Sequence, residues 1–263
     1  MLASGTAMPF SSESSPGNRR AYTLLSLLLA GVAGLVNTTG FVALGLHTSH
    51  MSGSMATLGE SLASGNVALA WLAAQLLLSF VVGAVSASVL LEASRERPRG
   101  RHSSALLLEA LTLGGIGVWL SYHPSPHEPT LMWGLAYAMG LQNALVTRVS
   151  GAVVRTTHIT GILTDIGIQV VRLGSWLREG TRGQGLRGLR RRLWALPTAV
   201  EFERTRLHLG LGSAFLGGCT LGPLLFARLG AATLAIPCGV LVVLVALDLS
   251  AIADSGSQAM PRA

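Results

Sequence analysis

The sequence predicts an all-α polytopic membrane protein of about six transmembrane helices, arranged as two inverted three-span repeats that each carry a short motif-headed helix. Composition, charge placement and an internal repeat carry this expectation. Half of the 263 residues are hydrophobic and 12% are charged, too little polar surface to coat a soluble globule of this length. Several uncharged runs could cross the roughly 30 Å of bilayer hydrocarbon, which takes about 20 helical residues. Lipid offers the backbone no hydrogen-bond partner and the alternation of a barrel strand is absent, so these runs read as helices.

In chain order, residues 1–18 are rich in Ser, Gly and Pro and are expected to be disordered, within a cytoplasmic tail taken as 1–20. The first span is predicted at 21–46. Its start, "NRRAYTLLSLLLAGVAG", resembles a twin-arginine export signal. The apolar run outlasts the usual 7–15 or so residues and further spans follow, so it is read as an uncleaved helix. The other spans are predicted at 66–91, 105–121, 130–147, 207–227 and 229–247. The two repeats are then 21–121 and 130–252, the second holding an Arg-rich cytoplasmic segment at 178–206, with a cytoplasmic tail at 253–263. Cys219 and Cys238 fall inside the last two spans and read as small packing residues, not a disulfide framework.

All 19 basic residues are arginine. They lie before the first span, between the second and third, between the fourth and fifth, and in the tail. The intervening loops at 47–65 and 122–129 carry none. The positive-inside rule therefore sets both termini in the cytoplasm; Arg228, between the last two spans, departs from it. The net charge of +7 needs no nucleic acid to explain it, because the aromatic-and-basic platform of single-strand binders is missing.

"TSHMSG" at 48–53 returns as "TTHITG" at 156–161, and "AGLVN" at 33–37 is echoed by "MGLQN" at 139–143. The offsets are 108 and 106 residues, so a two-residue insertion separates the copies. Each half reads as one span, a motif-headed helix and two further spans. Consecutive copies of a three-span unit enter the bilayer from opposite sides, the plan of many secondary transporters. The first motif should face outside and the second the cytoplasm.

Thr48 or Ser49, and Thr156 or Thr157, are expected to cap these helices, since a hydroxyl accepts from the open amides of a first turn. In the second copy Ile159, Ile162, Leu163, Ile166, Val170, Leu173 and Leu177 share one helical face, with Asp165, Gln169, Arg172 and Arg178 off it. A helix N-terminus attracts anions, and Gly53 and Gly161 would admit a ligand or a backbone. The candidate solute-binding residues are therefore Thr48, His50, Ser52 and Gly53 in one copy and Thr156, His158, Thr160, Gly161 and Asp165 in the other. The histidines would act as donors or proton-linked groups. The structural alternative is a pair of capping turns whose histidines bond a neighbouring helix end.

Asn37, Gln142 and Asn143 interrupt apolar spans and join the list, with interhelical hydrogen bonding as the plainer explanation. Glu109, near the middle of the third span, must be paired, protonated or facing water. Glu60 and Asp248 lie nearer span ends. Gly210, Ala214, Gly218 and Gly222 recur every four residues, either as a helix–helix seam within the bundle or as the face of a homodimer. An enzyme is not expected: "SGSMA" at 52–56 lacks the second glycine of a nucleophile elbow. His47 with His50, and His123 with His127, do not make a convincing zinc site. No cofactor or metal is expected.

The segments "GFVALGLHTSHMSGSMATLGESLASGN" and "YAMGLQNALVTRVSGAVVRTTHITGILTDIGIQV" resemble the two signature regions of the YoaK-type bacterial membrane proteins, a family catalogued as a domain of unknown function. The similarity runs from about residue 21 to 252. Family members commonly carry a Thr-Gly-Asn core in the first motif, and Ser54 after Gly53 departs from it. The resemblance implies a multi-span protein of the bacterial inner (plasma) membrane and names no activity. The leading expectation is a small-solute permease working by alternating access around the two motif helices, with the lipid bilayer and a small polar or anionic solute as partners. The rival is a non-transporting scaffold or accessory subunit that binds anionic lipid or a cytoplasmic partner through its Arg-rich loop.

Overall fold

A computed structural model describes residues 19–45, 47–95, 100–123, 129–149, 159–181 and 184–250. Among these residues the chain is helical throughout: α1 (Arg19–Leu44), α2 (Met51–Ala63), α3 (Val67–Ala93), α4 (Ser103–Tyr122), α5 (Pro129–Val149), α6 (Ile159–Thr181), α7 (Gly185–Ala195), α8 (Glu203–Leu229) and α9 (Ala235–Ser250). Short 3₁₀ turns join α7 to α8 and, at Gly230–Leu234, α8 to α9. The six expected spans fall on α1, α3, α4, α5, α8 and α9, the last of 16 residues. The last begins later than the predicted residue 229, because the 3₁₀ turn occupies that stretch. Both tails, 1–18 and 251–263, lie outside the described residues.

Among the described residues four stretches are long and apolar enough to cross a membrane: Thr23–Ala43, Val67–Ala93, Ser103–Tyr122, and Val200–Leu249, whose 50 residues contain both α8 and α9. Their outer faces are apolar and exposed, as at Leu78, Val85 and Val89 on α3, Leu111 and Val118 on α4, and Val242, Val243 and Leu247 on α9. A soluble monomer does not display apolar surface on this scale; lipid is its natural solvent. Helix α5 is less apolar, yet Leu135, Ala136, Ala138, Met139, Leu141 and Gln142 on it are all at most 1% exposed. Its polar groups can be spent on neighbouring helices because it sits at the centre of the bundle.

Local chemistry sets the helix ends. Helix α2 stops at Ser64; Gly65 takes φ +71°, a left-handed turn that glycine adopts without steric cost; and the Asn66 side chain accepts from the Leu69 amide at 3.1 Å to cap α3. The cap of α4 comes from across the bundle. Its N-cap residue, His102, makes no side-chain cap; instead the Asp248 carboxylate of α9 accepts from the His102 amide at 3.1 Å and the Ser103 hydroxyl at 2.7 Å.

Lipid gives helices no hydrophobic reason to associate, so close backbone approach has to do it. Helices α1 and α8 run parallel, with Leu27 against Gly210, Gly31 against Ala214 and Gly218, and Leu35 and Thr38 against Gly222. The small-residue stripe is thus an internal seam. Helices α3 and α5 also run parallel: the Ser79 hydroxyl donates to the Trp133 carbonyl at 2.8 Å, and Gly83 and Gly140 meet the opposite backbones. Helices α4 and α9 run antiparallel, from Ser103 beside Asp248 to Ala110 beside Cys238 and Gly117 beside Leu234.

The two parallel crossings match residue for residue. A Cβ on Gly34 would press on the Phe215 carbonyl and Cys219 amide, and one on Gly218 on the Gly31 carbonyl and Leu35 amide. A Cβ on Gly140 would press on the Phe80 carbonyl and Ala84 amide, and one on Gly83 on the Tyr137 carbonyl and Leu141 amide. Positions 31, 34 and 35 correspond to 137, 140 and 141 at the offset of 106 found in the sequence, while 80, 83 and 84 correspond to 215, 218 and 219.

Candidate functional site

The first motif is held by the end of α1. Asn37, 8% exposed, accepts through Oδ1 from the Ser49 amide at 3.1 Å and from the Ser49 hydroxyl at 2.8 Å. Its Nδ2 lies 3.3 Å from His47 Nδ1, and the His47 ring stacks on Phe41 with centroids 4.3 Å apart. One buried amide therefore fixes the loop that leads into α2. Although part of the His47 surface reaches solvent, partial burial of the ring is the largest influence on it and lowers its pKa below 6.5; nearby His50 lowers it further and Asn37 opposes.

The capping expectation for this motif is corrected. His50 occupies the N-cap position of α2 without a side-chain bond, Ser49 is committed to Asn37, and the Thr48 hydroxyl is buried with no hydrogen-bond partner. Asn37 outbids the helix for Ser49 because it is already desolvated and needs a donor. Gly53 does not open toward a backbone; a Cβ there would collide with the His50 ring, so the imidazole folds over the first turn. Ser52 is exposed.

In the second copy Thr156 and His158 lie outside the described residues. Thr160 is exposed and Gly161 half-buried at the start of α6. The expected face of α6 holds in part: Ile159, Ile162 and Ile166 pack on the core, but Leu163 and Val170 are 62% and 61% exposed, while Asp165 and Gln169, expected off the face, are partly buried. Asp165 lies 3.4 Å from His208 of α8, and Gln169 Oε1 is buried without a hydrogen-bond partner. Packing against α8 brings Asp165 to His208, a pairing that hydrophobic periodicity cannot register. His208 escaped the sequence reading; its only signal was a lone histidine at the start of a span.

Further in, Gln142 donates through Nε2 to the Leu29 carbonyl, while its Oε1 is buried and unpartnered. Asn143 donates to the Met139 carbonyl at 2.8 Å within its own helix. Glu109 is fully buried, and neither carboxyl oxygen has a hydrogen-bond partner. Buried polar atoms without partners are costly, and among the described residues they include Thr39, Thr48, Glu109, Gln142 and Gln169, with Ser61, Ser104, Trp133, Thr205 and Thr233 besides. His47 and His50 are not joined by a third metal-ligating residue; no group of three or more His, Cys, Asp or Glu that could hold a metal occurs among the described residues. At the Arg-bearing ends of α3 and α5, exposed Glu92 bridges Arg95 and Arg148 at 3.2 Å each.

Comparison with known proteins adds a family. The sequence profile described as Protein of unknown function (DUF1275) matches residues 25–247. The chain belongs to this family. DUF1275 is the family that contains the YoaK-type proteins, so the resemblance carried by the two signature segments is borne out. The match covers every helix from α1 to α9 except the extreme ends of the first and last. No curated protein and no solved structure matches the chain.

Proposed function

We propose that this DUF1275 protein is a permease for a small polar or anionic solute. In this reading six helices, α1, α3, α4, α5, α8 and α9, span the bacterial inner membrane as two inverted three-span halves. The observation that carries it is the pair of matched glycine crossings together with the antiparallel pairing of α4 and α9. If α1, α3 and α4 correspond to α5, α8 and α9, the α1–α8 crossing is exchanged with α5–α3, and α4 is exchanged with α9. Equivalent helices that run antiparallel are related by an axis lying in the membrane plane, the arrangement of inverted-repeat transporters.

Each tight pair joins a helix from one half to a helix from the other. Backbones locked at glycine move together, which favours two bodies, α1 with α8 and α3 with α5, rocking about the centre. Helix α2 then closes the outer end and α6 the cytoplasmic end, and the unpartnered polar atoms between them are groups that a passing solute or water would satisfy. Both termini are cytoplasmic in this reading, the loops bearing arginine lie on the same side apart from the α8–α9 turn beside Arg228, and no catalytic step is required.

One observation favours the scaffold alternative. Helix α7 displays Leu186 and Trp194, 84% and 78% exposed, beside Arg187, Arg190 and Arg191, while the Arg192 guanidinium sits 4.4 Å over the Trp176 ring. An exposed apolar edge flanked by arginine suits the surface of an anionic leaflet.

The test is topology. With Cys219 and Cys238 replaced, single cysteines at Ser52 and Thr160, both exposed, are treated in intact cells with a membrane-impermeant thiol reagent. Labelling at Ser52 directly, and at Thr160 only after permeabilisation, is expected. Labelling of both from one side removes alternating access and leaves the scaffold.

A further inference from the structure

The bundle contains one ionisable side chain that nothing around it explains. Glu109 is 0% exposed, both its oxygens lack a hydrogen-bond partner, and it lies in a helix whose inner face is otherwise Ala105, Leu106, Ala110, Leu113 and Ile116. A structural glutamate would be tied to a donor, as Asp248 is tied to His102 and Ser103 at the end of the same helix. Seven residues make two helical turns, so Glu109 shares the side of α4 on which Ile116 packs against Gly134 of α5. The same distance along α5 reaches Leu141; Gln142, one residue on, lies about 100° further round the helix and turns its amide to the Leu29 carbonyl of α1.

We infer that Glu109 is a proton-binding site, the coupling group of the transport cycle. This rests on the permease reading. The ligand is a proton because a metal cation needs a shell of oxygen donors, and among the described residues neither Glu109 oxygen has a hydrogen-bond partner. An unpaired charge in such surroundings is strongly disfavoured, so the closed bundle holds the neutral acid. When the bundle opens, the O–H bond breaks, its electron pair stays on the carboxylate and the proton passes to admitted water. The ionisable groups on the elements packed against α4 are few among the described residues: Cys238 of α9, whose thiol donates to the Ala110 carbonyl at 3.3 Å; Asp248 with His102 at the far end; Tyr137 on the side of α5 that meets α3; and Glu92 with Arg148 at the helix ends. Of these only Cys238 is near the carboxyl.

The full-length protein in liposomes is treated with the lipid-soluble reagent dicyclohexylcarbodiimide, which modifies protonated carboxyls in apolar surroundings, and the adduct is mapped by mass spectrometry. Labelling at Glu109 is expected, falling about tenfold or more between pH 6 and pH 9, absent in Glu109→Gln and retained in Glu92→Gln. Infrared difference spectra over the same range should show a protonated-acid carbonyl band that disappears on raising the pH and is missing in Glu109→Gln. A label and band that do not respond to pH mark a permanently neutral acid and overturn the inference. If Glu109→Gln fails to fold, the titrating band of the unsubstituted protein, assigned by its loss after carbodiimide treatment at Glu109, decides instead. A titrating Glu109 in a protein whose motif cysteines label from one side keeps the proton site and defeats the permease; a non-titrating Glu109 with opposite-sided motifs does the reverse.

Discussion

Replacing Gly34 or Gly140 by alanine tests the two crossings against each other. A Cβ on Gly34 would lie 2.9 Å from the Cys219 amide nitrogen and closer still to the Phe215 carbonyl; on Gly140 it would lie 3.1 Å from the Ala84 amide nitrogen and closer still to the Phe80 carbonyl. Ordinary contact begins near 3.4 Å, and the obstacle is backbone, so the helices themselves must part. Overpacking of this kind costs about 1–3 kcal/mol. The two sites share no contact, so the double variant should lose roughly the sum. Gly115, Gly217 and Gly239 have open space where a Cβ would go, and alanine there should leave stability unchanged or raise it through helix propensity. Unfolding of the detergent-solubilised protein, followed by the fluorescence of its 5 tryptophans, measures the differences. Gly34→Ala and Gly140→Ala should be alike and both worse than the controls. Equality with the controls, or a large cost at one crossing and none at the other, would refute the symmetry of the pairs.

Three further outcomes follow from the polar contacts. Asn37→Ala leaves the Ser49 amide and hydroxyl without their acceptor, a loss of about 1–3 kcal/mol; hydrogen exchange at the Ser49 amide should accelerate at least tenfold, and unchanged protection would remove Asn37 as the anchor. Asp248→Ala uncaps α4 at a cost of about 0.5–2 kcal/mol, and a double-mutant cycle with Ser103→Ala should show coupling; strict additivity would mean the carboxylate is not the cap. Acidification should loosen the first motif: the native pKa of His47 is lowered, so its contribution is whole above the ordinary 6.5 and is lost as the pH falls through the lower native value. Protection factors at residues 47–54, corrected for the intrinsic pH dependence of exchange, should fall on going from pH 7.5 to 5, and His47→Gln should abolish the fall; a variant with the same pH response assigns it elsewhere.

Much of the candidate site was legible as residue types and little as partnerships. Asn37 and the hydroxyls at 48 and 49 drew attention because polar groups are conspicuous in an apolar run, but capping propensity assigned Ser49 to its own helix when Asn37 takes it. Asp165 was visible, whereas His208 was not, since the two meet only when α6 rolls onto α8. The small-residue stripe on α8 was evident, but its partner could have been another copy of the chain.

What the sequence by itself determined is where the long helices lie, how arginine divides the loops and that two short segments recur, because hydropathy, length and spacing are local properties of the chain. The tertiary structure decided that α1 pairs with α8 and α5 with α3, that Asp248 caps a helix well over a hundred residues earlier, and that Glu109 is left alone in the core. The physical reason is that lipid rewards no particular helix pair. Pairing falls to backbone contact at a few glycines, and the register those contacts impose is what aligns, or fails to align, each polar side chain with a partner.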